Sequence, residues 1–110
     1  MPRYVVLYRA SPSTRDQMLS SLPDETKAGM DAWVAWATGA GSALIEGGGQ
    51  LARVAQLGAA VEGADDDSVS GFSIIEADTV ETVTALLSNH PHLKVGSISV
   101  MEARFQYHKS

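Results

Sequence analysis

The sequence contains no cysteine, and this absence excludes several kinds of chemistry. Disulfide bonds, cysteine nucleophiles and thiolate metal sites all require that residue. A reducing compartment therefore suits the chain. The apolar run at residues 5–7 is far too short for a signal peptide, and no segment approaches the roughly 20 apolar residues of a membrane span. We therefore expect a cytoplasmic protein that does not cross a membrane.

Positive charge is also scarce. Eight Lys and Arg residues are scattered along the chain against 13 Asp and Glu, which gives a net charge of −5. A nucleic-acid surface needs clustered cations to neutralise phosphates, so we expect no nucleic-acid partner. The hydrophobic fraction of 45% over 110 residues predicts one folded domain spanning residues 1–110. A domain this small would gain stability from a partner subunit.

Four segments have the composition of β-strands. Residues 3–9 and 71–77 are rich in aromatic and β-branched types, and residues 94–107 predict a long last strand. Residues 43–46 begin another strand, which the glycines at 47–49 interrupt with a bulge or tight bend. The stretches 11–23 and 62–70 are polar and predict loops.

Two segments have the apolar period of an amphipathic helix. Asp24 caps the first segment, and Gly39 and Gly41 end it. The second begins after Asp78 or Thr79 and ends at residues 89–92. The apolar stripes of the two helices comprise Met30, Trp33, Val34 and Ala37 in the first, and Val80, Val83, Leu86 and Leu87 in the second.

The resulting order, β-α-β-β-α-β, is typical of a ferredoxin-like α+β fold, in which two helices cover one face of an antiparallel sheet. Residues 50–61 leave two interpretations open. They can continue the second strand in extended form, or they can form a helix, because their apolar spacing fits both structures.

Both faces of the predicted sheet are apolar, which indicates a second copy of the chain. Tyr4, Val6 and Tyr8 share one face of the first strand, while Val5 and Leu7 share the other. Two helices suffice to cover only one of these faces, and an open apolar sheet is an aggregation hazard. We therefore predict a homodimer with an isologous interface, in which the two open faces cover each other.

Several segments resemble YCII-related (DGPF-type) proteins, in order and along nearly the whole chain. They are YVVLY at residues 4–8, WVAW at 33–36, GSALIEGG at 41–48, GFSIIEAD at 71–78 and the segment 91–102. The resemblance implies a dimeric α+β barrel, formed when two sheets stack face to face. It implies little about activity, because activities in this family are mostly inferred from a polar cleft with histidine and aspartate. No histidine lies in the first helix region of this chain.

His90 and His92 are the first candidates for catalysis. Imidazole titrates near neutral pH, so it can move protons or bind metal. The pair flanks Pro91, and in extended backbone the two rings would point apart, so without an obvious third ligand we expect no metal site. The alternative is structural, with His90 capping the second helix and His92 at a surface or interface.

Glu76 is a third catalytic candidate, because it is a carboxylate in an otherwise apolar strand. It is a candidate general acid or base if it faces a pocket. The alternative is that it lies at a solvent edge or pairs with an arginine.

Aromatic and charged side chains predict a ligand pocket. Tyr8, Trp33 and Trp36 are candidates for its walls, with Arg9 holding an anionic group and Asp31 facing the cleft. We expect Arg9, Trp36 and His92 to border one cleft. The alternative is that the tryptophans fill the core and Asp31 lies on a solvated helix face.

Two functions fit these features. The first is an enzyme without a cofactor that transfers protons on a small metabolite, as an isomerase, lyase or hydrolase, with His92 or His90 as the base. The second is a non-catalytic domain that binds a small ligand or acts as an accessory domain. The fold does not decide between them, because ferredoxin-like domains serve many functions.

Overall fold

The computed structural model describes residues 2–11, 23–51, 53–59 and 69–104, without the side chains of 23–26 and 28. The strands are β1 (Arg3–Arg9), β2 (Leu44–Gln50), β3 (Val69–Glu76) and β4 (Ser97–Glu102), and the helices are α1 (Pro23–Ala40) and α2 (Val80–Leu87). The strands form one antiparallel sheet in the order β2-β3-β1-β4. This topology confirms the predicted ferredoxin-like α+β fold.

The core lies between the sheet and the helices. β1 is central, and Val6 stands opposite Ser73 of β3 and Val100 of β4. Val6 is fully buried, and its neighbours on the same face, Tyr4 and Tyr8, are only 4% and 1% exposed. Strand periodicity therefore places every second β1 side chain in the core, as the sequence predicts.

β2 passes through the glycines at 47–49 and ends at Gln50, so it does not continue into residues 53–59 as one of the two interpretations allowed. Its register with β3 shifts between Leu44 and Glu46 and again between Glu46 and Gly49, which confirms the expected bulge. Gly48 has a φ of +72°, and a Cβ at this position would collide with the backbone of Phe72. Only glycine satisfies both conditions at this point.

The predicted apolar stripe of α1 is partly wrong. Met30 and Val34 are 64% and 62% exposed, while Trp36 is buried and Ala40 packs against the core. The same i, i+3, i+4, i+7 spacing starting at Trp33 describes the buried face, so the helix is rotated relative to the prediction. In α2, Val80 is likewise 44% exposed, whereas Val83 and Leu87 are buried.

α2 begins after its predicted cap, Thr79, and ends at Leu87, before the predicted end at residues 89–92. Oγ1 of Thr79 accepts a hydrogen bond from the backbone N–H of Thr82 at 3.3 Å. After the helix, a 3-10 turn (Pro91–Lys94) precedes β4, so the last strand starts later than the predicted residue 94. β4 ends at Glu102, and the predicted strand residues 105–107 lie outside the described part of the chain.

Residues 53–59 form neither a strand of the sheet nor a helix. Leu51 still donates its N–H to the carbonyl of Ser70 at 3.0 Å, but Val54 and Leu57 beyond it are each 95% exposed. The predicted loop 62–70 lies mostly outside the described residues, although β3 already begins at Val69. None of the described helices is long and apolar enough to cross a bilayer.

Candidate ligand-binding site

The two histidines lie in the core, between the sheet and α1. His90 is 1% exposed and His92 is 2% exposed. We expected the two rings to point apart in extended backbone, or, in the structural alternative, His90 to cap the second helix and His92 to lie at a surface or interface. The 3-10 turn at Pro91–Lys94 instead carries both rings inward, with His90 as the N-cap of the turn.

Hydrogen bonds assign the proton position on each ring. Nδ1 of His90 accepts from the backbone N–H of His92 at 3.0 Å, so a neutral His90 carries its proton on Nε2. Nε2 of His92 lies 2.8 Å from the carbonyl oxygen of Arg9. Because a carbonyl only accepts, this nitrogen donates, and the lone pair of a neutral His92 is on Nδ1.

Three aromatic rings surround the His90 imidazole. The ring centroids of Trp33 and Trp36 both lie 4.4 Å from that of His90, and the centroid of Tyr8 lies 4.9 Å away. We call these four side chains the aromatic cage. Within the described part of the chain, Nε2 of His90 is buried and has no hydrogen-bond partner. Such an unsatisfied group is uncommon in a folded protein, which makes this atom a candidate for contact with a ligand or a water molecule.

The cage keeps His90 uncharged. Burial, and to a lesser extent the neighbouring His92, lower the pKa of its imidazole from 6.5 to about 4. His90 is therefore neutral at pH 7. A neutral imidazole with a free N–H donates a hydrogen bond, and it releases or takes up a proton only with difficulty.

A chain of hydrogen bonds runs from Tyr8 of the cage to β2, at one edge of the sheet. The Tyr8 hydroxyl lies 2.8 Å from Oγ of Ser73, which donates to the carbonyl of Gly47 at 2.9 Å. Since the hydroxyl hydrogen of Ser73 is used on Gly47, Tyr8 is the donor to Ser73. Burial raises the pKa of the Tyr8 phenol, and its hydrogen bond with Ser73 opposes that rise. Tyr8 is therefore a neutral phenol in this site.

Gly96 allows His92 to approach β1 closely. A Cβ at Gly96 would collide with the carbonyl of Arg9 and would lie 2.8 Å from Nε2 of His92. The backbone N–H of Gly96 donates to the carbonyl of His92 at 2.9 Å. The absence of a side chain at this residue therefore makes room for the hydrogen bond that sets the His92 tautomer.

A groove of about 220 Å³ lies between α1 and α2, on the side of Trp36. The indole N–H of Trp36 donates to the carbonyl of Leu86 at 2.8 Å and holds the two helices together there. The residues lining the groove are Ala35, Trp36, Gly39, Ala40, Ala85, Leu86 and Asn89. Trp36 thus belongs to both the groove and the aromatic cage.

The structure places the remaining predicted site residues elsewhere. The backbone carbonyl of Arg9 contacts His92, but its side chain is on the opposite face of the sheet, where Nε donates to Oγ of Ser99 at 2.8 Å. Glu76 is on that opposite face too and pairs with Nε of Arg3 at 3.2 Å. Asp31 is exposed on α1. Of the three residues expected to border one cleft, Arg9 therefore contributes only its backbone carbonyl to the site that contains Trp36 and His92.

Sequence reasoning missed two residues of the site, Ser73 and Gly96. Strand alternation in the sequence does indicate Ser73, because it places this residue on the same face as Ile75. No sequence pattern indicates Gly96, because its role depends on the turn that precedes it. In the described part of the chain, no group of three or more His, Cys, Asp or Glu residues could hold a metal ion.

The fold and the site define a small ferredoxin-like α+β protein with two buried histidines among aromatic rings. The solved structure of 5-chloro-2-hydroxyhydroquinone dehydrochlorinase (TftG) from Burkholderia phenoliruptrix AC1100, in complex with 2,5-dihydroxybenzoquinone, has the same fold. The match covers 96% of this chain and 95% of that chain, with a TM-score of 0.54 and 18% sequence identity. Neither the family models nor the curated proteins compared with this chain gave a match.

Proposed function

We propose that this protein is an enzyme that transfers protons on a small, flat metabolite bound at the aromatic cage. The observation that carries the proposal is the buried Nε2 of His90, which has no protein partner in the described structure. A protein tolerates the cost of such a group where a ligand satisfies it. The two imidazoles supply the chemistry, and Tyr8, Trp33 and Trp36 supply flat apolar walls.

The similar solved structure supports the reaction class. Its name describes removal of hydrogen chloride, a reaction in which a proton leaves the substrate, and its ligand is a small flat quinone. An isomerase, lyase or hydrolase needs the same ability to move a proton. A distant relation to YCII-related proteins is part of this proposal, supported by the fold and by the segments that resemble that family.

A binding domain without catalysis is the second candidate. The observation in its favour is that Glu76 and Asp31 lie away from the histidines, so neither carboxylate is available to pair with an imidazole in the cage. Proton transfer then depends on His90 and His92 alone. The two candidates share the cage and differ in whether a bound molecule is changed.

We further propose that the protein forms a homodimer through the sheet face that the helices leave open. Val5, Leu7, Phe72 and Ile74 on this face are half-buried, and Met101 is 55% exposed. Light scattering coupled to gel filtration should give a dimer mass at micromolar concentration. Ile74→Lys should give a monomer, because the charge would be buried in the interface; a monomeric parent protein would contradict the proposal.

The test of the cage begins with a panel of hydroxyquinones, phenols and aromatic carboxylates. Binding should raise thermal stability, by about 2.7 kcal/mol at a hundredfold excess over Kd. Conversion of the bound compound, followed by NMR or absorbance, separates the enzyme from the binding domain. Trp33→Leu should weaken binding, whereas the matched variant Val34→Ala, an exposed neighbour on the same helix, should not. Absence of binding by every compound would contradict the proposed site.

A further inference from the structure

We propose that His90 serves as a neutral hydrogen-bond donor, through Nε2, to a carbonyl or phenolic oxygen of a flat, unsaturated ligand, and that it is not the general base. This inference rests on the proposed function, because it assigns a role within the same site. It also defines the chemical class of the ligand by the atom that His90 recognises.

The tautomer supplies the first step. The backbone N–H of His92 points at Nδ1 of His90 over 3.0 Å. A proton on Nδ1 would set two donors against each other at that distance, so the hydrogen must be on Nε2. A general base acting at Nε2 would need a lone pair on that nitrogen. The hydrogen bond from the His92 N–H to Nδ1 instead leaves the proton on Nε2. His92 has the complementary arrangement, with its lone pair on Nδ1, so the base function passes to His92.

Burial supplies the second step. His90 is 1% exposed and is surrounded by three aromatic rings, so an imidazolium ion would lose its hydration at this position. The ring therefore remains neutral and offers an N–H of fixed direction. A fixed donor in a dry site stabilises negative charge that develops on an oxygen during proton abstraction. Neutral histidine is known to polarise carbonyl groups in this way.

The shape of the cage supplies the third step. The planes of Trp33 and Trp36 make angles of 89° and 62° with the His90 ring, and Tyr8 is tilted by 31°. Trp33 is half-buried, and it is the most exposed of the four rings. A ligand would therefore approach Nε2 from the side of Trp33, and the aromatic surfaces around this atom favour contact with a flat molecule. A cation would meet the positive end of the N–H dipole, so the site selects an oxygen acceptor.

Nitrogen-15 NMR of the free protein tests the tautomer without any ligand. We expect a pyridine-type shift for Nδ1 of His90 and a pyrrole-type shift for Nε2, unchanged from about pH 8 to pH 5, above the pKa. The opposite pattern would overturn the inference. It would leave the proposed function standing, with His90 as a candidate base.

Two substitutions test the donor, with 2,5-dihydroxybenzoquinone as the probe. In His90→Asn, the amide oxygen can still accept from the His92 N–H, since asparagine is a good cap, but no group remains at the Nε2 position. In His90→Gln, the longer side chain returns an N–H near the Nε2 position, but it no longer accepts the His92 N–H. We expect roughly tenfold to hundredfold weaker probe binding for His90→Asn and a partial recovery for His90→Gln.

The outcomes separate the two proposals. If the parent protein binds the probe and His90→Asn binds it equally well, the donor role is wrong while the ligand site remains. If the parent protein binds neither the probe nor any other compound of the panel, the proposed function itself fails. Far-ultraviolet circular dichroism of both variants confirms that they are folded before binding is compared.

Discussion

The two faces of the sheet differ although the same strands build them. Val6 is fully buried beneath the helices, and its neighbour Val5, on the opposite face, is only half-buried. The helix-covered face also encloses two histidines, a tyrosine and a serine in hydrogen bonds. The comparison shows that buried polar side chains lie on the covered face, whereas apolar side chains on the open face are only partly buried.

The open face has the arrangement of an interface. Its centre is apolar, and polar contacts flank it, with Arg3 and Glu76 at one end of β1 and Arg9 and Ser99 at the other. An apolar centre with a polar rim is typical of surfaces that bind another protein. The two proposals therefore assign one face of the sheet to a ligand and the other to a partner subunit.

We expect the largest effect on stability from a substitution of Ile75, whose neighbour Ile74 points to the opposite face of the sheet. Ile75 is fully buried and Ile74 is half-buried. Ile75→Ala should lower the free energy of unfolding by about 2–5 kcal/mol, because it leaves a cavity beneath the helices. Urea denaturation measures this loss.

Ile74→Ala is the matched control for that experiment. Under the proposed dimer, its effect on stability should depend on protein concentration, because the side chain would contribute to association and not to the monomer core. Equal losses for the two variants at low concentration would show that the faces do not differ as described.

Gly96→Ala should have the next largest effect. The added methyl group would meet the Arg9 carbonyl, and backbone yields less readily than a side chain. We expect a loss of roughly 3 kcal/mol, the upper end for an inserted methyl group. Gly29→Ala is the control, because nothing lies within 4 Å of its Cβ position and alanine favours helices. It should gain up to about 1 kcal/mol in thermal or urea unfolding.

The buried histidine predicts a pH dependence of stability. Unfolded His90 takes up a proton near pH 6.5, whereas the folded pKa is about 4. The unfolded state therefore binds more protons between these values, so stability is full above pH 6.5 and falls as the pH drops toward 4. Between pH 7 and pH 5, we expect a loss of about 2 kcal/mol.

His90→Asn isolates this contribution, because asparagine does not titrate. The difference in unfolding free energy between the parent protein and the variant should shift by the same amount over that pH range. A constant difference would mean that His90 is protonated equally in the folded and unfolded states, and the cage would then not be dry.

The smallest effect concerns the open face and its ion pair. The side chains of Arg3 and Glu76 are 51% and 30% exposed. Water screens such a pair, so Glu76→Gln should cost less than about 1 kcal/mol, and the loss should shrink as salt is added. A much larger loss that salt does not change would place Glu76 in a dry interface.

The fold could be predicted from the sequence more fully than the site. β1 has its predicted bounds because an uninterrupted apolar run, mostly aromatic and β-branched, fills residues 4–8 between two arginines. The rotation of α1 could not be predicted, because stripes starting at Met30 and at Trp33 fit the same helical period. Only packing against the sheet distinguishes them.

The composition of the site was predictable, and its geometry was not. Tyr8, Trp33, Trp36, His90 and His92 were all candidates, and the structure brings them together. The 3-10 turn that carries the histidines inward depends on contacts made far along the chain, such as that between His92 and the Arg9 carbonyl. Local sequence does not contain that information.

The cage also determines how the protein can be observed. The sequence has two tryptophans, and both lie 4.4 Å from the His90 ring. All indole fluorescence of the chain therefore originates at the candidate site. An unlabelled sample can report the arrival of a molecule beside His90 through the colour and intensity of its own emission, in real time and at low concentration.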